Sequence, residues 1–170
     1  LEVAVGSSGR MNIIKANGNV LAGWPKYLGQ TVINSSVALA DIDNNGTLDI
    51  AFCLFNNGNN ANFVYSLDKF GNNIAGWPIA IPGETQSIFN RNSPIITNLD
   101  LDGLLEVSVP AWNGKLYSYN FNGTVTEGWP VNGDGAMLLS AIAGDIDGDV
   151  DPEFLIGSGN PNKLGSVYAW

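Results

Sequence analysis

The chain has 170 residues, 45% hydrophobic and only 14% charged: enough apolar content for a core, and too little charge for a disordered polyelectrolyte or a long coiled coil. Sixteen acidic residues against seven basic ones give a formal net charge of −9, so there is no basic surface to displace counterions from phosphates, and no nucleic-acid partner is expected. Histidine is absent, which removes His-based triads, His general bases and most catalytic zinc sites.

From the start, Leu1-Glu2-Val3-Ala4-Val5 reads as a strand, with no charged region ahead of an apolar stretch, so no signal peptide is expected. No run of eighteen apolar residues occurs, so no helical membrane span is expected. The closing run Ser166-Val167-Tyr168-Ala169-Trp170 is again strand-like. Strands at both ends suggest a piece of a longer protein. Cys53, the single cysteine, cannot form an intramolecular disulfide and reads as a small buried hydrophobe.

Internal repetition dominates the chain. Gly-Trp-Pro occurs at 23–25, 76–78 and 128–130, with spacings of 53 and 52 residues. An acidic stretch recurs as DIDNNGTLD (41–49), NLDLDGLLE (98–106) and DIDGDVDPE (145–153). A third element, NIIKANGN, VYSLDKFGNN or LYSYNFNGT, precedes each Gly-Trp-Pro, and SVYAW at the end begins a further copy. Three motifs in one fixed order define a unit of about 50 residues.

Each unit reads as short strands. In the best-defined copy, Val37–Ala40 leads into the acidic loop and Ile50–Leu54 leads out of it. Phe63–Leu67 follows, then a turn, then Ile74–Trp77 as the outer strand. Asn17-Gly18, Gly71-Asn72 and Asn122-Gly123 supply the positive φ of tight hairpins. No segment shows a sustained 3.6-residue apolar period. The expectation is an all-β chain of four-stranded antiparallel β-propeller blades, about three to four of them, from a larger ring of about six to eight. With strands named A to D outward, the chain reads B-C-D (1–36), A-B-C-D (37–94), A-B-C-D (95–139) and A-B-C (140–170). Such a piece is not expected to close on itself: remaining blades or another chain would complete it, with the free strand edges as the points of association.

The acidic stretches point to calcium. Asp41, Asp43, Asn45 and Asp49 place side-chain oxygens at loop positions 1, 3, 5 and 9, with Gly46 at 6 and the Thr47 carbonyl at 7. The second loop offers Asn98, Asp100, Asp102, the Leu104 carbonyl and Glu106; the third offers Asp145, Asp147, Asp149, the Asp151 carbonyl and Glu153. Ca²⁺ takes six to eight oxygens at about 2.3–2.6 Å. An EF-hand would need a glutamate at position 12, where Phe52, Val109 and Ile156 stand, so these are loops between strands, closed by the acid at position 9. Glu2 fits position 9 of a fourth copy. Val150 replaces the position-6 glycine of the third loop, which puts that loop's geometry in question. Eleven of the sixteen acidic residues lie in the three loops, and three bound Ca²⁺ would bring −9 to −3. Two to three structural Ca²⁺ ions are expected.

The acidic loop, the outgoing apolar strand, the Tyr-containing third strand and Gly-Trp-Pro together resemble the FG-GAP/VCBS repeats of integrin-α-like β-propellers, over essentially the whole chain. The Phe-Gly-Gly-Ala-Pro stretch that names the family is replaced by Ile156-Gly157-Ser158 and Val5-Gly6-Ser7. The resemblance implies propeller blades with calcium in the A–B loops. The Gly-Trp-Pro variant looks most like repeats of secreted bacterial surface proteins, which implies an extracellular or cell-surface location.

The tryptophans Trp24, Trp77 and Trp129 read as packing residues at the outer strand rather than sugar platforms. Sequons at Asn34, Asn45 and Asn122 are expected by chance in an Asn-rich chain. The loops away from the acidic ones (56–62, 79–94, 131–139, 158–165), with Phe89, Arg91, Trp112 and the Asn56–Asn62 run, are the candidates for contact with a protein or carbohydrate ligand. Asp134 lies in a Gly-rich loop outside any motif and reads as a neutral comparison for Asp43. No unassigned carboxylate pair and no Gly-x-Ser-x-Gly elbow remains, so the chain is read as not an enzyme. The functional expectation is a non-catalytic calcium-binding module for adhesion or protein/carbohydrate binding. The alternatives are a propeller domain of a secreted polysaccharide-degrading or proteolytic enzyme whose catalytic part lies elsewhere, or a structural subunit of a surface filament.

Overall fold

The computed structural model describes residues 2–29, 31–33, 35–56, 61–83, 92–159 and 165–170. They form an all-β chain of four antiparallel sheets. The first sheet is β1 (Glu2–Ser7), β2 (Arg10–Lys15) and β3 (Lys26–Tyr27), paired in that order. The second contains β4 (Thr31–Ile33), β5 (Ala38–Ala40), β6 (Asp49–Asn56), β7 (Ala61–Leu67) and β8 (Ile79–Ala80). The third runs β9 (Ile95–Thr97), β10 (Glu106–Pro110), β11 (Lys115–Tyr119) and β12 (Val131–Asn132). The fourth is β13 (Ile142–Gly144), β14 (Glu153–Ser158) and β15 (Ser166–Ala169). Among the described residues no helix is long and apolar enough to cross a membrane.

Three apolar layers join the four sheets face to face. The alternation of β6 explains how. Ile50, Phe52 and Leu54 enter a layer with Met11 and Trp24 of the first sheet, while Ala51 and Cys53 enter the next with Val107, Val109, Tyr117 and Tyr119 of the third. The third layer joins Leu116 to Met137, Ala141, Phe154 and Ile156. A strand covered on both faces needs apolar residues at every position, and Asp49–Phe55 are all buried. In β15, covered on one face, half-buried and exposed residues alternate instead. Cys53 is buried, and desolvation pushes its thiol up to about 12, so it packs as an inert hydrophobe.

Two features depart from the sequence expectation. The inner strand of the second sheet is split. Thr31–Ile33 pair with Leu54–Asn56, and Ala38–Ala40 pair with Asp49–Ala51. Between the two pieces the Ser35 hydroxyl replaces the backbone ladder, accepting from Cys53 N–H at 2.8 Å and donating to Cys53 O at 3.2 Å. Thr31–Ile33 thus belong to the second sheet, although the sequence assigned them to the first unit. The outer strands also begin after Gly-Trp-Pro rather than before it, as Lys26–Tyr27, Ile79–Ala80 and Val131–Asn132. The tripeptide is itself a turn. The Trp N–H donates to the carbonyl three residues back in each copy, the glycine has φ between +82° and +90°, and the Trp–Pro peptide is cis. Gly76 is needed twice over, because a Cβ there would lie 1.8 Å from the Asn122 carbonyl oxygen of the next sheet.

Repeated polar contacts tie neighbouring sheets. The indole N–H of Trp24 donates to Lys69 O at 3.3 Å, and that of Trp77 to Phe121 O at 2.8 Å. Both acceptors lie in the hairpin turn of the following sheet. Ser36 N–H donates to Ser93 Oγ at 3.0 Å, and Ser93 N–H to Ser140 Oγ at 2.9 Å. Asp134 is not neutral. Its carboxylate accepts from the hydroxyls of Ser158 and Ser166, and its N–H donates to Tyr168 Oη, clamping the loop after β12 onto the fourth sheet. These hydrogen bonds, that from Ser158 foremost, hold its carboxyl below the usual range.

Candidate metal centres

The three acidic loops join β5 to β6, β9 to β10 and β13 to β14. Each pair of strands is antiparallel and in the same register: Ala40 faces Asp49, Thr97 faces Glu106 and Gly144 faces Glu153. The position-9 acid therefore stands at the start of a ladder strand, held by the sheet. From there one carboxylate oxygen reaches back to the position-2 N–H in all three copies. Asp49 Oδ2 accepts from Ile42 at 2.9 Å, Glu106 Oε2 from Leu99 at 2.7 Å and Glu153 Oε2 from Ile146 at 2.7 Å.

The turn itself needs two residues at positive φ. At position 6 stand Gly46, Gly103 and Val150, with φ of 84°, 89° and 84°. At position 4 stand Asn44, Leu101 and Gly148, with φ of 55°, 58° and 88°. The third loop keeps the turn despite its valine, having exchanged the place of its glycine. Asn44 hinted at the position-4 requirement, since Asn tolerates this region; Leu101 carries no such signal. Val150 is 71% exposed, so its side chain contributes little packing. Val150→Gly is expected to stabilise the protein by about 0.5–1 kcal/mol, the relieved left-handed strain being partly offset by glycine's greater freedom when unfolded. Urea unfolding checks this; an unchanged or lower midpoint refutes it.

The turns bring three carboxylates together in each loop: Asp41, Asp43 and Asp49; Asp100, Asp102 and Glu106; Asp145, Asp147 and Glu153. Within each trio the ligand oxygens lie within 4.8 Å of one another. A cation about 2.4 Å from each allows a separation of that size. Three oxygens at these centres, Asp43 Oδ1, Asp49 Oδ1 and Asn98 Oδ1, are buried with no hydrogen-bond partner. Leaving such acceptors buried is costly unless something satisfies them, and hard oxygen donors around a small gap suit Ca²⁺. The donor set fits the ion.

The remaining expected ligands lie in the same loops. Asn45 Oδ1 accepts from the N–H and hydroxyl of Thr47, at 2.9 and 2.6 Å. Leu104 N–H donates to Asp102 Oδ1 at 2.7 Å. Asp149 and Asp151 stand outside the third trio; Asp149 accepts from the Asp151 N–H at 3.1 Å. The trios repel internally. Burial raises the Asp49 carboxyl, and the charges of Asp43 and Asp41 add to it. Burial raises Glu106 to about 6, with further contributions from Asp100 and Asp102. Asp147 is raised first by the charge of Asp149. The third trio is the most open, because its Glu153 is only half-buried where Asp49 and Glu106 are buried.

At the opposite end of the sheets, Trp112 follows β10 and is partly exposed. Phe89, Arg91 and residues 57–60, also expected there, lie outside the described residues, as does Asn34. No family model and no curated protein matches the chain.

Proposed function

We propose that the chain is part of a calcium-stabilised β-propeller, its stacked sheets the blades, acting as a non-catalytic module of an extracellular or cell-surface protein. The reading rests on one observation above all: an acidic trio recurs at the same place in three successive sheets, with unpartnered buried oxygens in the two better-covered copies. Bound Ca²⁺ would neutralise the converging carboxylates. The residues that would hold it are Asp41, Asp43, Asn45, Asp49 and the Thr47 carbonyl in the first loop. In the second they are Asn98, Asp100, Asp102, Glu106 and the Leu104 carbonyl, and in the third Asp145, Asp147, Asp149, Glu153 and the Asp151 carbonyl. Stiffened at that end, the sheets would present the loops of the other end to a protein or carbohydrate ligand.

Calorimetric titration of chelator-stripped protein tests the metal. Two to three Ca²⁺ per chain are expected to bind, with Mg²⁺ a poor competitor because it demands a tighter octahedral shell. Absence of Ca²⁺ heat at millimolar concentration overturns the reading.

A further inference from the structure

The apolar layer between the first and second sheets contains an open cleft of about 490 Å³, lined by Ala4, Ile13, Leu21, Leu39, Leu48 and Ile50 among others. The next two layers show what fills the same place elsewhere. In each, the position-2 residue of an acidic loop inserts between its own sheet and the following one. Ile42 is fully buried in the second layer, and Leu99 packs against the third. Ile146, on the fourth sheet with no sheet packed beyond it among the described residues, is 58% exposed. The first sheet has no inner strand or acidic loop among the described residues, so nothing takes this place in the first layer. The lining records the difference. Leu39 is 51% and Leu48 62% exposed, whereas Ile96 and Leu105, their counterparts one sheet on, are half-buried.

The edge beside the cleft is prepared as well. β1 pairs with β2 only, leaving its other edge without a strand among the described residues. Glu2 occupies the register place of Asp49, Glu106 and Glu153: it faces Lys15, and the hairpins after β2, β7 and β11 close with the same hydrogen bond, Lys15 N–H to Asn19 O, Asp68 N–H to Asn72 O and Asn120 N–H to Thr124 O. The three existing inner strands show the rest of the pattern. Their last residue faces the position-9 acid, and the residue two earlier faces the second residue after that acid, which in β1 is Ala4.

We infer that the free edge of β1 and the adjoining cleft form an acceptor site for an extended segment of this repeat's own pattern. The segment is a short apolar strand followed by an acid or Asn and then Ile or Leu. Its last strand residue pairs with Glu2, and its Ile or Leu fills the cleft between Leu39 and Leu48. A second copy of this chain is a poor donor, because its inner strands β5, β9 and β13 are already paired within their own sheets. The inference rests on the stacking of the sheets and is independent of metal binding.

The test replaces Leu1 with a second copy of residues 36–48, so that the added strand and loop run in phase into Glu2. The full chain with and without this addition is melted in calcium and in chelator, beside a variant whose added Ile (the copy of Ile42) is Asp. The expected result is a rise in Tm of about 5 °C or more in both media, on the scale at which domains of this length respond to added packing, and its loss with Asp. A rise that Asp does not abolish, or no rise, overturns the inference. So does a rise confined to calcium, since the gain would then come from metal at Glu2 rather than from the cleft. Sedimentation supplies a further check: an unextended chain that dimerises, and is made monomeric by the addition, would make a second copy the occupant and refute the assignment. Failure of calcium to bind anywhere, with the rise intact in chelator, would sink the metal reading and leave this one standing.

Discussion

Trp77→Ala is expected to destabilise the protein by about 3–5 kcal/mol, the range for emptying a buried aromatic site. Trp77 is 6% exposed, meets Tyr119 edge to face at 6.2 Å between centroids, and donates its indole N–H to the Phe121 carbonyl at 2.8 Å. All of these contacts cross from the second sheet to the third, so the loss falls on the interface rather than on one sheet. Trp77→Phe keeps one aromatic ring at the site but gives up the hydrogen bond and part of the indole's buried area, for a smaller loss of about 1–3 kcal/mol. Trp129→Ala should cost less than Trp77→Ala, because Trp129 is only half-buried against Phe154. Urea unfolding of the three variants decides, and a loss below about 1 kcal/mol for Trp77→Ala would show that the sheets do not depend on this contact.

Removal of calcium should have an effect of comparable size. A site filled at about a hundred times its Kd contributes about 2.7 kcal/mol, and a chain of this length loses about 2–4 °C per kcal/mol, so chelator is expected to lower Tm by about 5–10 °C for each filled site. Asp43→Ala should lower Tm in calcium and shrink the chelator effect. Glu127, exposed and outside the loops, is the suitable comparison; Asp134 is not, given its clamp on the fourth sheet. The pH dependence should invert with metal. In chelator the folded state holds the Glu106 proton up to about 6 against an ordinary 4.5, so it binds more protons than the unfolded state across that window. Stability then falls as pH rises from 4.5 to 6. In calcium the ion requires the carboxylate, and stability rises over the same window. Parallel curves in the two media, or no chelator effect on the parent, would contradict a structural metal.

Much of the candidate metal centre was legible because its geometry is local. A nine-residue loop between two antiparallel strands places positions 1, 3, 5 and 9 by backbone geometry alone, so the spacing of Asp41, Asp43 and Asp49 carries their convergence. The third loop looked doubtful from Val150, yet its turn is kept, because the glycine it lacks at position 6 it carries at position 4 as Gly148. The strand character of β6, β7, β10 and β11 was equally plain in their dense β-branched and aromatic runs.

Composition, repeat order and loop spacing thus determined the all-β character, the sequence of strands and the candidate ligands, since each follows from contacts within a few residues. Only the tertiary structure decided what joins one sheet to the next. That Ser35 bridges a split strand, that Trp77 donates to Phe121, that Asp134 clamps the loop after β12 onto the fourth sheet and that Ile42 fills its place in one layer while no described residue takes the same place in the layer before it all depend on residues brought together from different strands and sheets. Such contacts are set by how face meets face, and a sheet's own residues specify which side is apolar without specifying which atoms of the neighbour will lie against it.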